Sequence, residues 1–424
     1  MDFHVFLFSV FVVWQTSHGK TIDQTILSSL PRGQDGNITT SLKDAALLEL
    51  DIRVSHEEYE TLKSQPFSKR KATPHENRRW TDNTIPYTIG TGFNDQEKKH
   101  VRTAMDEWER YTCLKFRDAT PADTNMVKIE SGEGCNAGIG MMGGAQILNL
   151  GVNCKMVSVA LHELGHIIGL YHEQNRRDRD DYIWVRLEHM NPTYRFAAEK
   201  TKEGDIDNYG VPYDYGSIMH YGLDAFASGK EPTIITNDPT WQFRIGNARH
   251  LSFNDIKIVN IIYKCGSRCG GKTCPGEGYL DSNCQCMCPG NPTRPCSSPA
   301  PEVDPCVDFD TSCPGHAAVG ECDKTPGYMR YACWSSCQMC GEGCKDKQAD
   351  CLTRARKGDC KGNPIYMLDN CWKSCGFCFG KGNEPSASCQ DTNPKCGLWA
   401  AQGQCVTHTD YMQMGCPRAC AFCN

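Results

Sequence analysis

From Trp80 to Cys265 apolar residues recur at the intervals of regular secondary structure. Ile85 to Ile89 and Val127 to Ile129 alternate with polar neighbours like short strands, and Gln146 to Leu150 reads the same way. Between the first two, Val101, Met105, Trp108 and Tyr111 fall on one face of an amphipathic helix, whose start is marked by Asn94 and, three residues later, Glu97. A last helix is predicted from Ser252, its cap, to about Tyr263. It buries Ile256, Val259 and Ile262 and carries Asp255 in its first turn, where a negative charge is favourable.

The pattern changes at both ends. Val5 to Trp14 is an apolar run followed by the small residues Ser17 and Gly19, the layout of a signal peptide over residues 1–19. That run is too short to span a bilayer comfortably and no later segment reaches the apolar length a membrane helix requires, so a secreted, extracellular chain is expected. Residues 20–71 contain no cysteine, carry the glycosylation sequon Asn37-Ile38-Thr39 and end in Ser68-Lys69-Arg70-Lys71. This is the layout of a propeptide with a site for an activating protease; Arg78-Arg79 competes as the cleavage point, and a solvated linker is the alternative.

Cysteine usage divides the 424 residues further. Cys113, Cys135, Cys154 and Cys265 are the only cysteines before Ser267, and the rest of the 28 follow it. The front can build an ordinary core, whereas the back reads as small modules stapled by disulfides in an oxidising compartment. Residues 266–305 hold Cys269, Cys274, Cys284, Cys286, Cys288 and Cys296 among glycines and prolines, a disulfide-held connector whose pairing the spacing leaves open. Its C-x-C-x-C-P run resembles the second half of an EGF-like module. A repeat then appears: Cys306, Cys313, Cys322, Cys333, Cys337 and Cys340 share their spacing with Cys344, Cys351, Cys360, Cys371, Cys375 and Cys378. Cys389, Cys396, Cys405, Cys416, Cys420 and Cys423 repeat it again. The net charge of −6 is spread without long single-sign blocks, so nothing points to nucleic acid or an anionic membrane surface.

Candidate chemistry concentrates in residues 162–174, HELGHIIGLYHEQ. Residues four apart on a helix lie one turn above each other, so His162 and His166 present their imidazoles on one face. Glu163 is rotated about 100° from His162, beside an open coordination position, where it is the natural general base. Gly169 lets the helix end in a left-handed turn, from which His172 can return as third ligand. Three nitrogens leave one zinc ion a position for water, whose pKa falls from about 15.7 to about 7 while a carbonyl is polarised, as peptide hydrolysis at neutral pH requires. HExxH alone also suits a surface helix with two histidines; Gly169 and His172 make that reading remote. A closed structural zinc site needs a fourth strong ligand, usually cysteine, and none lies between Cys154 and Cys265.

HELGHIIGLYHEQNRRDRDDY closely resembles the signature of the astacin family of metzincin zinc endopeptidases, and Ser217-Ile218-Met219-His220-Tyr221 resembles that family's Met-turn. The resemblance covers roughly Ala72 to Cys265 and implies a domain over 72–265 of α+β class: a two-lobed zincin fold with a mixed sheet and an active-site helix. It further implies that Met219 floors the zinc site, that Tyr221 is a displaceable fifth ligand stabilising the oxyanion, and that Glu173 meets the new amino terminus after cleavage behind Lys71. From its own neighbourhood Tyr221 reads as a packing residue. Leu48-Glu49-Leu50-Asp51 stands where relatives often carry Phe-x-Gly-Asp, making Asp51 the candidate zymogen cap on zinc; an ordinary surface carboxylate is the alternative. The implied bridges are Cys113 with Cys265 and Cys135 with Cys154. Ile245-Gly246-Asn247-Ala248 departs from the Ile-Gly-Gln-Arg of many relatives, and Arg249 is the nearest replacement for the lost arginine.

The three repeats, 306–340, 344–378 and 389–423, resemble ShKT modules. That resemblance implies pairing of first with sixth, second with fourth and third with fifth cysteine: Cys306–Cys340, Cys313–Cys333 and Cys322–Cys337; Cys344–Cys378, Cys351–Cys371 and Cys360–Cys375; Cys389–Cys423, Cys396–Cys416 and Cys405–Cys420. Zinc knuckles are the alternative for the C-x-x-C endings. Channel-blocking relatives place a lysine before a tyrosine, but here Tyr328, Tyr366 and Tyr411 follow Gly327, Ile365 and Asp410. The tail therefore reads as a docking array or spacer, and the rival, a toxin-like ShKT protein acting on channels, lacks its cation. Together these features predict a secreted zinc endopeptidase made as a zymogen, acting on extracellular proteins or peptides. Astacin with ShKT repeats is an architecture of cnidarians and nematodes, where roles run from development and cuticle work to venom, so the resemblance leaves a secretory or venom organelle such as a nematocyst open as one destination.

Overall fold

Asn94 and Glu97 close a reciprocal cap at the start of helix α1 (Asp95–Tyr111): the Glu97 amide donates to the Asn94 side chain at 2.9 Å, and the Asn94 amide to the Glu97 carboxylate at 2.8 Å. Such a box satisfies amides that a first turn leaves without partners. The computed structural model describes residues 46–57 except Leu50, residues 76–299 except 201–207, 230, 239, 240 and 243, and parts of 308–375. In that last stretch these parts are 308, 312–324, 329, 333–338, 345–363, 366, 367 and 370–375. The expected signal peptide, the sequon, the basic cluster at 68–71, the expected Cys306–Cys340 and Cys344–Cys378 pairs and the third repeat lie outside the described residues.

The inward face of α1, Val101, Ala104, Met105 and Trp108, is fully buried. Trp108 donates its indole N–H to the Leu161 carbonyl, 3.2 Å away on helix α2 (Val157–Ile168). Both helices share one core with Ile85, Val127, Ile129 and Leu148 from strands β3 (Thr84–Ile89), β5 (Met126–Glu130) and β7 (Ala145–Leu150). Those strands run parallel in the order β7-β5-β3, followed by β4 (Lys115–Asp118). On the other side β6 (Cys135–Ala137) pairs antiparallel with β7, so the sheet is mixed.

Beyond β6 the sheet continues into the N-terminal segment. Strands β1 (Ala46–Leu48) and β2 (Ile52–Val54) form an antiparallel hairpin, and Ile52 pairs with Ala137 of β6 in parallel orientation. The hairpin also plugs the second lobe. Leu47, fully buried, joins a separate core made by Ile183, Met190, Tyr213, Tyr221, Phe226 and Ile245. That lobe carries the two-stranded sheet of β8 (Ile183–Val185) and β9 (Ile234–Thr236). The architecture is α+β and two-lobed.

Helix α3 (Phe253–Ile262) returns to the first core and ends beside Cys265, which is bridged to Cys113; a second bridge joins Cys135 to Cys154. Residues 266–299 are tied by Cys269–Cys284, Cys274–Cys286 and Cys288–Cys296 and form a three-stranded antiparallel sheet, β10 (Tyr279–Leu280), β11 (Cys286–Pro289) and β12 (Thr293–Pro295). Tyr279 enters the first core, 5.6 Å from the ring of Phe253, so this unit is packed on the domain as well as threaded after it. In the repeats, Cys313–Cys333, Cys322–Cys337, Cys351–Cys371 and Cys360–Cys375 are bridged. Among the described residues no helix is long and apolar enough to cross a membrane.

Candidate metal centre

Helix α2 stops where its sequence allows a left-handed residue. Gly169 has φ 118° and ψ 19°, and its amide donates to Gly165 and His166 carbonyls at 3.1 and 2.9 Å. The end is pinned from outside: Trp80 donates its indole N–H to Ile167 O and Tyr263 its hydroxyl to Ile168 O, both at 2.8 Å. The chain then turns back so that the ring of His172 lies 5.4 Å from His162 and 4.9 Å from His166, centroid to centroid. All three histidines are buried.

Their tautomers are fixed by what the other ring nitrogen meets. His162 Nδ1 lies 2.8 Å from the Ile218 carbonyl and His166 Nδ1 2.8 Å from the Leu170 carbonyl, so both nitrogens donate and both Nε2 atoms are left as acceptors. Ile218 belongs to the 217–221 turn beneath the helix. A Cβ at Gly165 would come within 2.6 Å of Met219 Sδ, which shows how closely that turn underlies the α2 helix. The turn itself is held by Asp255, fully buried at the start of α3: Ser217 Oγ donates to it at 2.6 Å and the Ile218 amide at 2.8 Å. The sequence marks Asp255 only as a helix-start residue, and its second task arises from folding.

Asp51 stands among the imidazoles. Its Oδ2 is 3.2 Å from His162 Nε2 and 3.0 Å from His172 Nε2, and Oδ1 faces His166 Nε2 at 3.8 Å, beyond hydrogen-bond range. One ligand atom from each of the four residues lies within 4.8 Å of the others. Asp51 Oδ1, His166 Nε2 and both Glu163 carboxylate oxygens are buried and make no hydrogen bond among the described residues. Buried polar atoms left this way call for a partner, and a set of imidazole nitrogens and one carboxylate oxygen fits the donor chemistry of zinc.

Electrostatics favour a cation at this point. Burial alone raises the Asp51 carboxyl, but the charge of His172 and polar contacts with all three histidines outweigh it and hold the group well below the usual range. Burial pulls His166 down to about 4, which leaves it a neutral nitrogen donor. His172 is also pulled down by burial, yet Asp51 and Glu49 push it up to about 9. Glu163 is raised well above the ordinary carboxyl range by burial and then by the Asp51 charge.

Glu49, which sequence reading passed over, is part of the same cluster. It sits in the β1–β2 turn at φ 52°, fully buried, with Oε2 at 2.5 Å from His172 Nδ1 and 2.7 Å from Asn175 Nδ2. Its carbonyl accepts the Tyr221 hydroxyl at 2.6 Å, while the Tyr221 ring lies 4.5 Å from that of His172. No periodicity identifies such a residue, because its partners lie far along the chain. Glu173 accepts from Arg176 Nη1 at 3.1 Å and from the Asp214 amide at 2.8 Å, and its own amide donates to Met219 O at 3.0 Å. Ala72 is outside the described residues. Arg249 is exposed.

Residues 72–264 match the peptidase family described as Astacin, and 305–340, 343–378 and 388–423 each match ShK domain-like. The chain is 38% identical over 231 residues to Blastula protease 10 of Paracentrotus lividus, covering 52% of this chain and 38% of that protein. It is 35% identical over 271 residues to Zinc metalloproteinase nas-15 of Caenorhabditis elegans, covering 62% and 47%. The chain thus spans less than half the length of these curated relatives. Among solved structures it is similar to High choriolytic enzyme 1, a hatching enzyme zinc-protease from Oryzias latipes, at 31% identity over 44% of this chain and 92% of that one, with a TM-score of 0.41. Through residues 72–264 the chain belongs to the astacin family of peptidases, whose members are zinc-dependent, and three ShK-like domains follow that unit.

Proposed function

We propose that the chain is a secreted zinc endopeptidase, made as a zymogen, that hydrolyses peptide bonds in extracellular proteins. The observation that carries this reading is the convergence of His162, His166 and His172 beside the buried, unpartnered carboxylate of Glu163. His162, His166 and His172 would hold the zinc ion, which would supply Lewis acidity toward the scissile carbonyl and toward water. Glu163 takes the proton of the attacking water and returns it to the leaving nitrogen, which its position one residue after His162 permits. Tyr221, whose hydroxyl donates to the Glu49 carbonyl, becomes a donor for the oxyanion once the N-terminal segment leaves. Met219 supports the histidines from below, and Glu173 receives the new amino terminus.

Latency follows from the same residues. Asp51 blocks the histidine nitrogens, Glu49 occupies Tyr221 and His172, and the β1–β2 hairpin lies along β6, the edge where an extended peptide adds to a sheet. Replacing Asp51 removes the charge-assisted hydrogen bond from His172 Nε2 and the carboxylate that faces the other two imidazoles in the segment's seat. Asp51→Ala is therefore expected to raise the activity of the uncleaved chain at least about tenfold, the factor corresponding to about 1.4 kcal/mol. A gelatin assay on uncleaved protein checks this, and unchanged latency removes Asp51 from the mechanism.

For the activity itself, the full chain is freed of its N-terminal segment and assayed on casein before and after chelation. Activity is expected to vanish with the metal and to return with added zinc. Equal cleavage by the chelated protein refutes the reading. The channel-toxin alternative gains no support. Tyr366 packs against the core of the second repeat, with the Arg354 guanidinium 4.4 Å from its ring centre, as a packing residue does.

A further inference from the structure

Arg244 lies between two indoles. Its guanidinium carbon is 3.9 Å from the ring centre of Trp241 and 5.1 Å from that of Trp334. Trp241 opens a tight turn of the astacin domain, in which the Arg244 and Ile245 amides both donate to its carbonyl at 2.8 and 3.1 Å. Trp334 belongs to the first ShK-like domain. The contact therefore joins two modules distant in sequence.

Each side of the contact is anchored. Trp334 is buried in a core shared with Cys351, Met367, Cys371 and Trp372 of the second ShK-like domain, and Lys347 pairs with Asp323 at 3.0 Å across the two. The two domains thus form one unit. On the catalytic side Ile245 is fully buried in the same core as Tyr221. Gly246, at φ 73°, passes so close behind that a Cβ would come within 2.3 Å of the Gly222 amide nitrogen and 2.9 Å of the Tyr221 carbonyl carbon. The turn that carries Arg244 is therefore the backing of Tyr221.

We propose that Arg244 and Trp334 form an intramolecular docking interface that seats the first two ShK-like domains on the astacin domain and braces the 241–246 turn behind Tyr221. A guanidinium suits this place because it is planar, weakly hydrated and stacks on aromatic faces, which an ammonium does not. Burial pulls the Arg244 pKa below its ordinary value, but an arginine starts so high that it keeps its charge. Arg244 is a positioning residue, and the tail it seats is a wall in fixed relation to the cleft, not a free tether.

Hydrogen–deuterium exchange on the full chain tests this without reference to proteolysis, so its outcome is independent of the proposed activity. Arg244→Ala is expected to raise exchange in 333–337 about tenfold, and Trp334→Ala to do the same in 244–247, as loss of a desolvated cation–π contact implies. Arg244→Lys should fall between wild type and alanine, and adding Arg244→Ala to Trp334→Ala should raise exchange in 333–337 no further, because both remove the same contact. Trp334→Ala also hollows the core of its own domain, so the Arg244→Ala arm decides. Exchange that rises only within the mutated module, or effects that add in the double variant, overturn the proposal.

Discussion

Glu163→Gln is expected to lower kcat/KM of the activated enzyme by about 10² to 10⁴, the range over which a positioned general base contributes. Zinc content should be unchanged, because the ligand nitrogens of His162 and His166 are oriented by the Ile218 and Leu170 carbonyls, not by Glu163. The amide matches the carboxyl in size, so folding should survive, and its environment already disfavours a charge there. The fall is expected in kcat more than in KM, since Glu163 acts on the reacting atoms and not on the rest of the substrate. Steady-state kinetics on a peptide, with zinc measured in the same sample, check both parts. Near wild-type turnover would remove Glu163 from its role.

Asp255→Ala should produce the largest loss of stability. This buried carboxylate accepts from Ser217 Oγ at 2.6 Å, the Ile218 amide at 2.8 Å and the Ser252 amide at 3.1 Å. Each donor left without a partner in the interior costs about 1–3 kcal/mol, so the total is about 4 kcal/mol. For a domain of this size that lowers the melting temperature by about 10 °C, readable by calorimetry. A second effect follows from the chain of contacts. Ile218 offers its carbonyl to His162 Nδ1, so loosening its amide should weaken zinc binding about 10- to 100-fold, as loss of an outer partner does. Asp255→Asn keeps one acceptor and should fall between. An unshifted melting temperature with unchanged zinc affinity would show that the turn holds itself.

Much of this molecule is written in local patterns. The spacing that sets His162 and His166 one turn apart is a property of any helix, and Gly169 marks the helix end because few other residues adopt its backbone angles. The boundaries of α1 and α3 follow from capping boxes whose partners are three residues apart. What the sequence hides depends on distant partners. Glu49 is an unremarkable acid in a polar segment until the hairpin carries it against His172, and Leu47 shows its use only by filling a pocket of the second lobe. Tyr279 reads as an isolated aromatic in a cysteine-rich stretch, yet it is a core residue of the domain before it. The pairing within 266–299 is likewise a matter of which cysteines the three short strands bring together.

Strand β6 is only three residues long, and the hairpin beside it bonds through a single register pair, Ile52 with Ala137. If that neighbour is shed, as the proposed activation requires, the border it uncovers is too short to recruit another copy of itself, a common hazard of bared strands. The same brevity limits how firmly main-chain ladder bonds alone can grip an incoming polypeptide. Selectivity must then come from hollows that accept side chains, so affinity for a victim protein should track its residue identities far more than its extended shape.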